Sequence, residues 1–436
     1  MPRISAQGGG AGAAEEVVVM DGGGVAIRPR YPGAASGYAT GRMPIDPDFW
    51  AGRRVLLTGH TGFKGAWLSL WLQALGARVV GLAPGPPTQP SLYELAGIAA
   101  GMEHERAVDV RDAEAVREAL REVRPEVVLH LAAQPMVRRS LRDPALTYAV
   151  NVLGTVNVLE AVRLEPGDVR AVVVVTSDKC YENPSSGSTP AQGVPPAQPG
   201  LAAPRRFVEG DPLGGSDPYS SSKACAELVT ASYRRSFFSP DGNGNSNSNG
   251  DGDGNGDPPE WAGPRIASAR AGNVIGGGDW GEDRLIGDIV RAVGTGETVK
   301  LRNPDAVRPW QHVLNPLSGY LLLAQELCAS PRAARVAQAW NFGPRDGDAR
   351  TVGWIVARLA ELWGGALRWE LDSAENPPEA SYLALDSGKA ERELGWRAEW
   401  DLGEALERIV RWHEAERRGE DMRAASLAQI ELFAGG

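Results

Sequence analysis

An acid and a base stand side by side at Asp178 and Lys179, directly after the apolar run AVVVV. Such a run is typical of a buried parallel strand. Two interpretations compete: a surface ion pair in a loop, which adds almost nothing to stability, or proton chemistry at the carboxyl end of a sheet, where open α/β folds bind their ligands. The preceding Ser177 is either a hydrogen-bond donor to a reacting oxygen or a strand-end hydroxyl bonded to backbone.

A tyrosine and a lysine lie four residues apart at Tyr219 and Lys223, in the helical pattern that begins DPYSSSKA. Residues at this spacing share one face of a helix. An ammonium group beside a phenol stabilises the phenolate and lowers its pKa from about 10, so that the tyrosine can act as a base. The pattern alone is common and mostly structural. Its functional interpretation gains weight only beside a nucleotide-binding fold.

Three glycines with the spacing G-x-x-G-x-x-G lie between the first predicted strand, RRVLLT, and the first predicted helix. Glycines in this position let backbone N–H groups approach a diphosphate at the helix N-terminus, which favours negative charge. The sequence therefore predicts a dinucleotide site, and Lys64 within it is expected to be solvated, although it could approach phosphate. The loop residues assigned to the cofactor are Gly59, Thr61, Gly62, Phe63 and Gly65.

The acid that usually binds the adenine ribose at the end of the second strand is missing, because that strand ends VVGLA. The residues alone leave the choice between NAD and NADP open. Asp109, after the predicted third strand RAVDV, has two interpretations. It is a ligand of the adenine amino group, or it is a helix-capping or loop acid.

Strand-like and helix-like segments alternate through the first half of the chain, which predicts βαβ units and a parallel sheet. We expect an α/β fold with a Rossmann-like doubly wound domain at 46–271 and a smaller C-terminal α/β domain at 272–436 that mainly binds substrate. Two stretches rich in Pro, Gly, Ser and Asn, 184–204 and 239–259, are predicted to be flexible insertions. Residues 1–45 are predicted to be a disordered extension.

Composition excludes several classes of protein. The 436 residues are 42% apolar, and the net charge of −10 argues against non-specific binding to nucleic acid or to an anionic membrane. We see no apolar run near the roughly 20 residues of a membrane span. Three scattered cysteines indicate a reducing compartment, so a cytoplasmic location is expected. The histidines lack metal-ligand spacing, and the motif DGDGNGD lacks the glutamate of a calcium loop, so we expect no metal.

Together these motifs resemble the extended short-chain dehydrogenase/reductase superfamily, and within it the nucleotide-sugar 4,6-dehydratases. Most such enzymes carry Asp-Glu after the fifth strand, whereas the CDP-glucose branch carries Asp-Lys, which matches Asp178-Lys179. The stretches GHTGFKGAWLSLWLQALGA, HLAAQPMVRRS and ARAGNVIGGGDWGEDRL are similar to the same branch. The resemblance covers about residues 47–412 apart from the two insertions.

The resemblance implies NAD as a bound cofactor and CDP-glucose as the substrate of an oxidation, dehydration and reduction sequence. It implies that Tyr219, helped by Ser177 and Lys223, removes the C4 hydroxyl proton, and that Asp178 protonates the departing C6 hydroxyl. Lys179 is either the base at C5 or a cation that stabilises the enolate. For the nucleotide and its diphosphate, the residues in family-like segments are Asn273, Arg284, Arg302 and Arg308.

The resemblance also implies pairing of subunits through the helices near 143–163 and 217–238, giving a homodimer or homotetramer. Two other functions remain open on the sequence. A nucleotide-sugar 4-epimerase uses the same tyrosine, lysine and NAD but has no need of Asp178-Lys179. A non-catalytic NAD-sensing protein on the same fold has no need of Tyr219, Lys223 and Asp178 together.

Overall fold

The computed structural model describes residues 15–19, 25–29, 45–183, 205–239, 263–330, 332–365, 367–372 and 380–435. The insertion 184–204, and all of 239–259 except its first residue, lie outside the described residues. Inside the predicted extension 1–45, strands β1 (Glu15–Val19) and β2 (Val25–Pro29) pair antiparallel.

A seven-stranded parallel sheet is the centre of the fold. Its order is β5-β4-β3-β6-β7-β8-β13, so the chain reverses direction across the sheet between β3 and β6. The apolar runs of the sequence are explained by burial on both faces, since every residue of β6 and β7 is buried. The predicted Rossmann-like doubly wound fold is confirmed. The strands are β3 (Arg54–Thr58), β4 (Arg78–Leu82), β5 (His104–Arg106), β6 (Val127–His130), β7 (Ala171–Val175), β8 (Arg265–Arg270) and β13 (Ala339–Asn341).

Helices cover both faces of this sheet. One face packs against α2 (Phe63–Ala74), α10 (Leu314–Ala329) and α15 (Met422–Gly435). The other packs against α4 (Ala113–Val123), α7 (Gly154–Leu164) and α8 (Pro218–Phe237). Aspartates cap the N-termini of two of them: Asp112 accepts a hydrogen bond from Ala115 N at the start of α4, and Asp217 accepts one from Ser220 N at the start of α8. The shorter helices here are α1 (Pro47–Trp50), α3 (Leu92–Leu95), α5 (Val137–Arg142) and α6 (Pro144–Tyr148), with a π-helical segment at Ala149–Leu153 and 3₁₀ turns at Ile98–Gly101 and Asp178–Cys180.

A second, smaller core lies beside the C-terminal edge of the sheet and contains Ile289, Leu359 and Leu406. Its strands are β9 (Val274–Ile275), β10 (Thr298–Leu301), β11 (Val307–Pro309), β12 (Gln311–His312), β14 (Ala349–Thr351) and β15 (Arg368–Leu371). Its helices are α9 (Leu285–Thr295), α12 (Val352–Leu362) and α14 (Leu402–Arg417). The short helices α11 (Ala333–Val336) and α13 (Gly388–Leu394) add Val336, Ala390 and Leu394 to the core of the central sheet instead. After residue 272 the chain does not stay in the smaller domain, because α10, β13 and α15 return to the central sheet and pack into its core.

One local expectation was wrong. The third strand is His104–Arg106 rather than RAVDV, because the backbone leaves the sheet after Arg106.

The stretch Pro144–Leu164 is long and apolar enough, with a mean hydropathy of 1.3, to pass as a membrane span by length and composition. The same test is passed by core helices, and 44% of this window is buried inside the fold.

Candidate active site

The glycine loop joins β3 to α2 at the point where the strand order reverses. Gly59 has φ +74°, and a Cβ there would lie 2.8 Å from Ala132. A Cβ on Gly65 would lie 2.0 Å from the carbonyl oxygen of Gly59, so the first helical turn packs directly on the loop. Gly62 begins α2 without a side-chain hydrogen bond at the cap. A helix N-terminus that no side chain caps suits an anionic group, so this loop fits the diphosphate of a dinucleotide.

Two further loop residues hold this turn in place. Thr61 is buried and its hydroxyl donates to the carbonyl of Gly85 at 2.7 Å. Phe63 lies against Gly276, where a Cβ would approach its ring to 3.0 Å. The loop is therefore anchored both to the segment after β4 and to the smaller domain.

The strand-end residues of β7 and the first turn of α8 meet at the carboxyl end of the sheet. Ser177 is the centre of the contact: its hydroxyl donates to Asp178 Oδ1 at 2.8 Å and accepts from Lys179 N at 3.2 Å, and it lies close enough to Tyr219 to influence the pKa of the phenol. Lys223 donates to the carbonyl of Val175 at 3.2 Å. The structure thus brings together all five residues predicted to be catalytic.

Burial shifts the acidity of Asp178. Asp178 is 3% exposed, and this burial raises the pKa of its carboxyl, against the charges of Lys179, Lys64 and Arg308. Its Oδ2 atom is buried without a hydrogen-bond partner among the described residues. A carboxyl group in such surroundings favours the neutral acid and has one oxygen available to a ligand.

The tyrosine differs from the sequence expectation. Burial raises the pKa of Tyr219 to about 12, although the nearby Ser177 hydroxyl and the charge of Arg284 act in the opposite direction. Burial also lowers the pKa of Lys223 to about 8, against the charge of Glu227. The predicted lowering of the tyrosine pKa is therefore absent in this structure, because desolvation of the phenol outweighs its neighbours.

Lys64 is not solvated as expected. It is partly buried, and burial together with the charges of Arg284 and Lys223 lowers its pKa to about 7, against the charges of Asp178 and Asp279. Burial follows from the packing of the loop after β9 on the start of α2, where Trp67 donates to the carbonyl of Gly277 at 2.9 Å. The chain has only five lysines, and three of them, Lys64, Lys179 and Lys223, face this site.

A cavity of about 140 Å³ opens beside the strand end. Lys179, Asp217 and Arg308 line it, together with Tyr181 and Arg138. Arg308 is 5% exposed and its guanidinium donates to the carbonyl of Val307 at 2.9 Å. Arg138 was not predicted, although two adjacent arginines in HLAAQPMVRRS after β6 were a signal for it.

The other predicted substrate residues lie at different distances from this cavity. Arg284 is close enough to influence both Lys64 and Tyr219, and it lies 4.0 Å from Asp279. Arg302 instead pairs with Asp283 at 3.1 Å and is absent from the cavity lining. Asn273 follows Gly272, whose position adjoins Asp178, and its carbonyl accepts from Gln311 N at 3.1 Å. The substrate role of these residues stays a prediction.

Asp109 is held by a neighbour. Both of its carboxylate oxygens accept hydrogen bonds from Arg111, at 2.6–3.0 Å, and this pairing keeps the pKa of Asp109 below its usual range. The geometry is that of a loop acid, and the Asp109 side chain is 32% exposed. The adenine contact stays a prediction.

The comparisons with known proteins agree with this site. The model of the NAD dependent epimerase/dehydratase family matches residues 55–337. The chain belongs to this NAD-dependent family, whose cofactor is the one that the glycine loop fits. It is 48% identical to a CDP-glucose 4,6-dehydratase of Salmonella typhimurium, over 89% of this chain and 98% of the relative.

Solved structures show the same fold. A UDP-glucose 4-epimerase of Thermus thermophilus in complex with NAD is 25% identical, with a TM-score of 0.63 over 83% of this chain and 99% of that chain. A dTDP-glucose 4,6-dehydratase of Streptomyces venezuelae is 22% identical, with a TM-score of 0.63 over 85% and 99%.

Proposed function

We propose that the protein is a hydro-lyase that converts CDP-D-glucose to CDP-4-dehydro-6-deoxy-D-glucose, with NAD as a cofactor that is regenerated in each turnover. The observation that carries this proposal is that the buried acid Asp178, bonded to Ser177 at the end of β7, lies close enough to Tyr219 to influence the pKa of its phenol. An oxidation needs the tyrosine. A dehydration also needs an acid, and the buried Asp178 is that acid, whereas a 4-epimerase has no use for it.

The order of events follows from the acidity of the sugar. A C5 proton of glucose becomes acidic only when C4 is a ketone, so the C4 hydroxyl must lose its proton first. Tyr219 accepts this proton, Ser177 donates a hydrogen bond to the C4 oxygen, and Lys223 supplies positive charge at the end of β7. When bound, NAD supplies the hydride acceptor for oxidation at C4, the hydride donor for reduction at C6 and, when oxidised, a positive charge that favours ionisation of a phenol.

Water leaves in the second stage. Lys179, on the 3₁₀ turn next to Asp178, faces the cavity and takes the C5 proton or stabilises the enolate that its loss creates. Asp178, whose pKa is raised by burial, delivers a proton to the departing C6 hydroxyl. The unpartnered Oδ2 supports this role, because it is an oxygen of the acid that no described residue occupies.

The nucleotide is held by cations. The protein carries a net charge of −10, so a diphosphate needs a local positive cluster. Arg308, with Arg138 across the same cavity, supplies it, and Arg284 extends it toward Lys64 of the glycine loop. Asn273 adds a neutral amide that can bond phosphate or sugar. Arg302 acts on this site through Asp283, which Arg138 also approaches at 3.6 Å.

The active form is a cytoplasmic homodimer or homotetramer. Apolar side chains that are exposed in the single chain lie on α5 to α8: Leu141, Leu153 and Leu228 are 46%, 53% and 57% exposed. Burial of this surface against a second copy would give a bundle of the long helices. Sedimentation of the purified protein tests this part of the proposal, and a monomer at micromolar concentration would contradict it.

The reaction is tested by incubation of the purified protein with CDP-glucose, UDP-glucose and dTDP-glucose in parallel, followed by mass spectrometry. We expect the loss of one water from CDP-glucose, with the other two substrates turned over at least tenfold more slowly. A product of unchanged mass would mean an epimerase. The absence of turnover in the presence of added NAD would favour a binding protein.

A further inference from the structure

A buried ion pair that the proposed chemistry does not use lies below the catalytic face of α8. Glu227 Oε2 and Arg270 Nη2 are 2.8 Å apart, and both side chains are 3% exposed. Removing two charges from water costs several kcal/mol per ion unless hydrogen bonds compensate it. The presence of this buried pair therefore does not by itself show that it stabilises the fold. Its role has to be inferred from the groups that it contacts.

Glu227 joins the two elements that carry the catalytic groups. It lies one helical turn beyond Lys223 on α8, and its Oε1 accepts a hydrogen bond from Thr176, the residue directly before Ser177, at 2.5 Å. Its Oε2 accepts from Ser268 on β8 at 2.7 Å. Since Lys223 also donates to Val175, α8 is attached to the end of β7 at two successive residues.

Arg270 secures the other side of the same turn. Its Nη1 donates to the hydroxyl of Tyr181 at 2.8 Å and to the carbonyl of Glu209 at 3.1 Å. The Tyr181 hydroxyl donates in turn to Asn341 Oδ1 at 2.7 Å. Thr176 and Tyr181 flank the catalytic residues 177–179, so both ends of that segment are attached to one ion pair.

We propose that Glu227 and Arg270 form a positioning pair, which holds the segment 177–179 at a fixed distance from Tyr219 and Lys223 and places a negative charge one turn from the Lys223 ammonium. The pair touches no reacting atom. This inference rests on the proposed function for its kinetic consequences, but its electrostatic consequence is independent of the substrate.

The electrostatic consequence concerns the charge of Lys223. The charged or titratable groups that act on it are Glu227 on its own helix, Cys180 on the 3₁₀ turn, Lys64 on α2 and His130 on β6. Burial holds the pKa of His130 at about 3, so it is neutral, and burial raises the pKa of the Cys180 thiol, so it is neutral too. Among the described residues, Glu227 is therefore the anion that opposes the burial of Lys223, and without it the ammonium would lose its proton at lower pH.

The test compares the wild type with E227Q, E227D and E160Q. Glu160 is the matched control, because it forms an exposed pair with Arg163 at 2.6 Å on the adjacent α7. The first readout is NMR of protein labelled at lysine Cε, in which only five lysines contribute signals, each assigned by substitution. We expect the titration midpoint of Lys223 to move to lower pH in E227Q alone, with that of the exposed Lys300 unchanged and E227D close to the wild type.

The second readout is the kinetics with CDP-glucose. We expect kcat of E227Q to fall on the order of 10-fold to 100-fold with KM within about threefold, and the basic limb of the kcat profile to move to lower pH. E227D should restore the position of the basic limb. A cooperative thermal transition in each variant excludes a simple loss of folded protein, and T176V, which removes one hydrogen bond and no charge, should lower kcat without moving the Lys223 midpoint.

An unchanged Lys223 midpoint together with an unchanged pH profile in E227Q would overturn the inference. If E227Q does not fold, T176V decides the positioning part, and wild-type kcat in T176V would contradict it. If the wild type does not dehydrate CDP-glucose, the proposed function fails while the NMR titration still tests the pair.

Discussion

A Cβ atom on Gly272 would lie 2.9 Å from Oδ2 of Asp178, the carboxyl oxygen that has no hydrogen-bond partner among the described residues. The same Cβ would lie 2.4 Å from Pro309, next to Arg308. The absence of a side chain at Gly272 therefore lets the carboxyl group of Asp178 pack close to Pro309 at the cavity wall. Asp178 N also donates to the carbonyl of the preceding Ala271, at 3.3 Å, which fixes the two segments together.

We expect G272A to lower kcat clearly while it lowers the free energy of unfolding only moderately. The added methyl must displace either the carboxyl of Asp178 or the ring of Pro309, at a strain of about 1–3 kcal/mol. Thermal unfolding measures the stability, and steady-state kinetics with CDP-glucose measures the rate. G347A, at an exposed turn with open space around its Cβ, is the control. Equal activity of G272A and the wild type would contradict the crowding at Asp178.

D178N separates oxidation from dehydration. The amide keeps the hydrogen bond to Ser177 but has no proton to give to the C6 hydroxyl, so kcat for water loss should fall by roughly 10²–10⁴. Oxidation at C4 uses Tyr219, Ser177 and Lys223, which D178N leaves in place, so we expect the absorbance of reduced nicotinamide to accumulate in single-turnover experiments. Y219F should show no such absorbance. A normal rate of water loss in D178N would remove this residue from the role of acid.

The burial of Lys64 lowers the free energy of unfolding of the ligand-free protein, by an amount that depends on pH. Its pKa is lowered from 10.5 to about 7, so between these values the unfolded chain binds more protons than the folded chain, and stability rises with pH. Below about pH 7 both states are protonated and the full cost is present.

K64M removes this cost. We therefore expect the gain in Tm of K64M over the wild type to be largest near pH 6 and to shrink toward pH 10. The change falls in the pH range between the folded and unfolded pKa values of Lys64. K300M, at an exposed lysine of β10, should show no such trend. A constant difference in Tm across this range would mean that Lys64 is solvated in the folded protein.

Arg308 and Arg302 are expected to differ. Arg308 lines the cavity and Arg302 pairs with Asp283 outside its lining. Loss of a charge-assisted hydrogen bond of about 1.5–3 kcal/mol corresponds to roughly 10-fold to 150-fold, so R308M should raise KM for CDP-glucose by that factor. R302M should raise it by less than about fivefold. The reverse order would move the diphosphate to the Asp283 side of the domain.

Local patterns predicted much of the site. The glycine spacing between β3 and α2, and the four-residue spacing of Tyr219 and Lys223, are both set within one turn of chain, so the sequence displays them directly. The alternation of apolar strands with helices predicted the sheet for the same reason. The strand RAVDV was misplaced because its apolar residues pack on α4 and α7 from a loop, as Val110 does beneath Gly154.

Long-range burial could not be predicted. Glu227 and Arg270 are 43 residues apart, and nothing in either segment fixes the contact, although the pattern Tyr-x-x-x-Lys-x-x-x-Glu and a charge inside the apolar strand RIASAR were signals. The burial of Lys64 likewise depends on a loop more than two hundred residues later in the chain. The pKa of Tyr219 was misjudged because desolvation is a property of the folded surroundings and not of its helical neighbours.

The central claim is that one active site oxidises C4, removes water across C5 and C6, and returns the same hydride to C6. CDP-glucose carrying deuterium at C4 tests it most directly, with the product analysed by NMR and mass spectrometry. The account predicts a product that has lost one water and carries the deuterium at C6, with no net consumption of NAD. Deuterium that remains at C4 in a product of unchanged mass would contradict it.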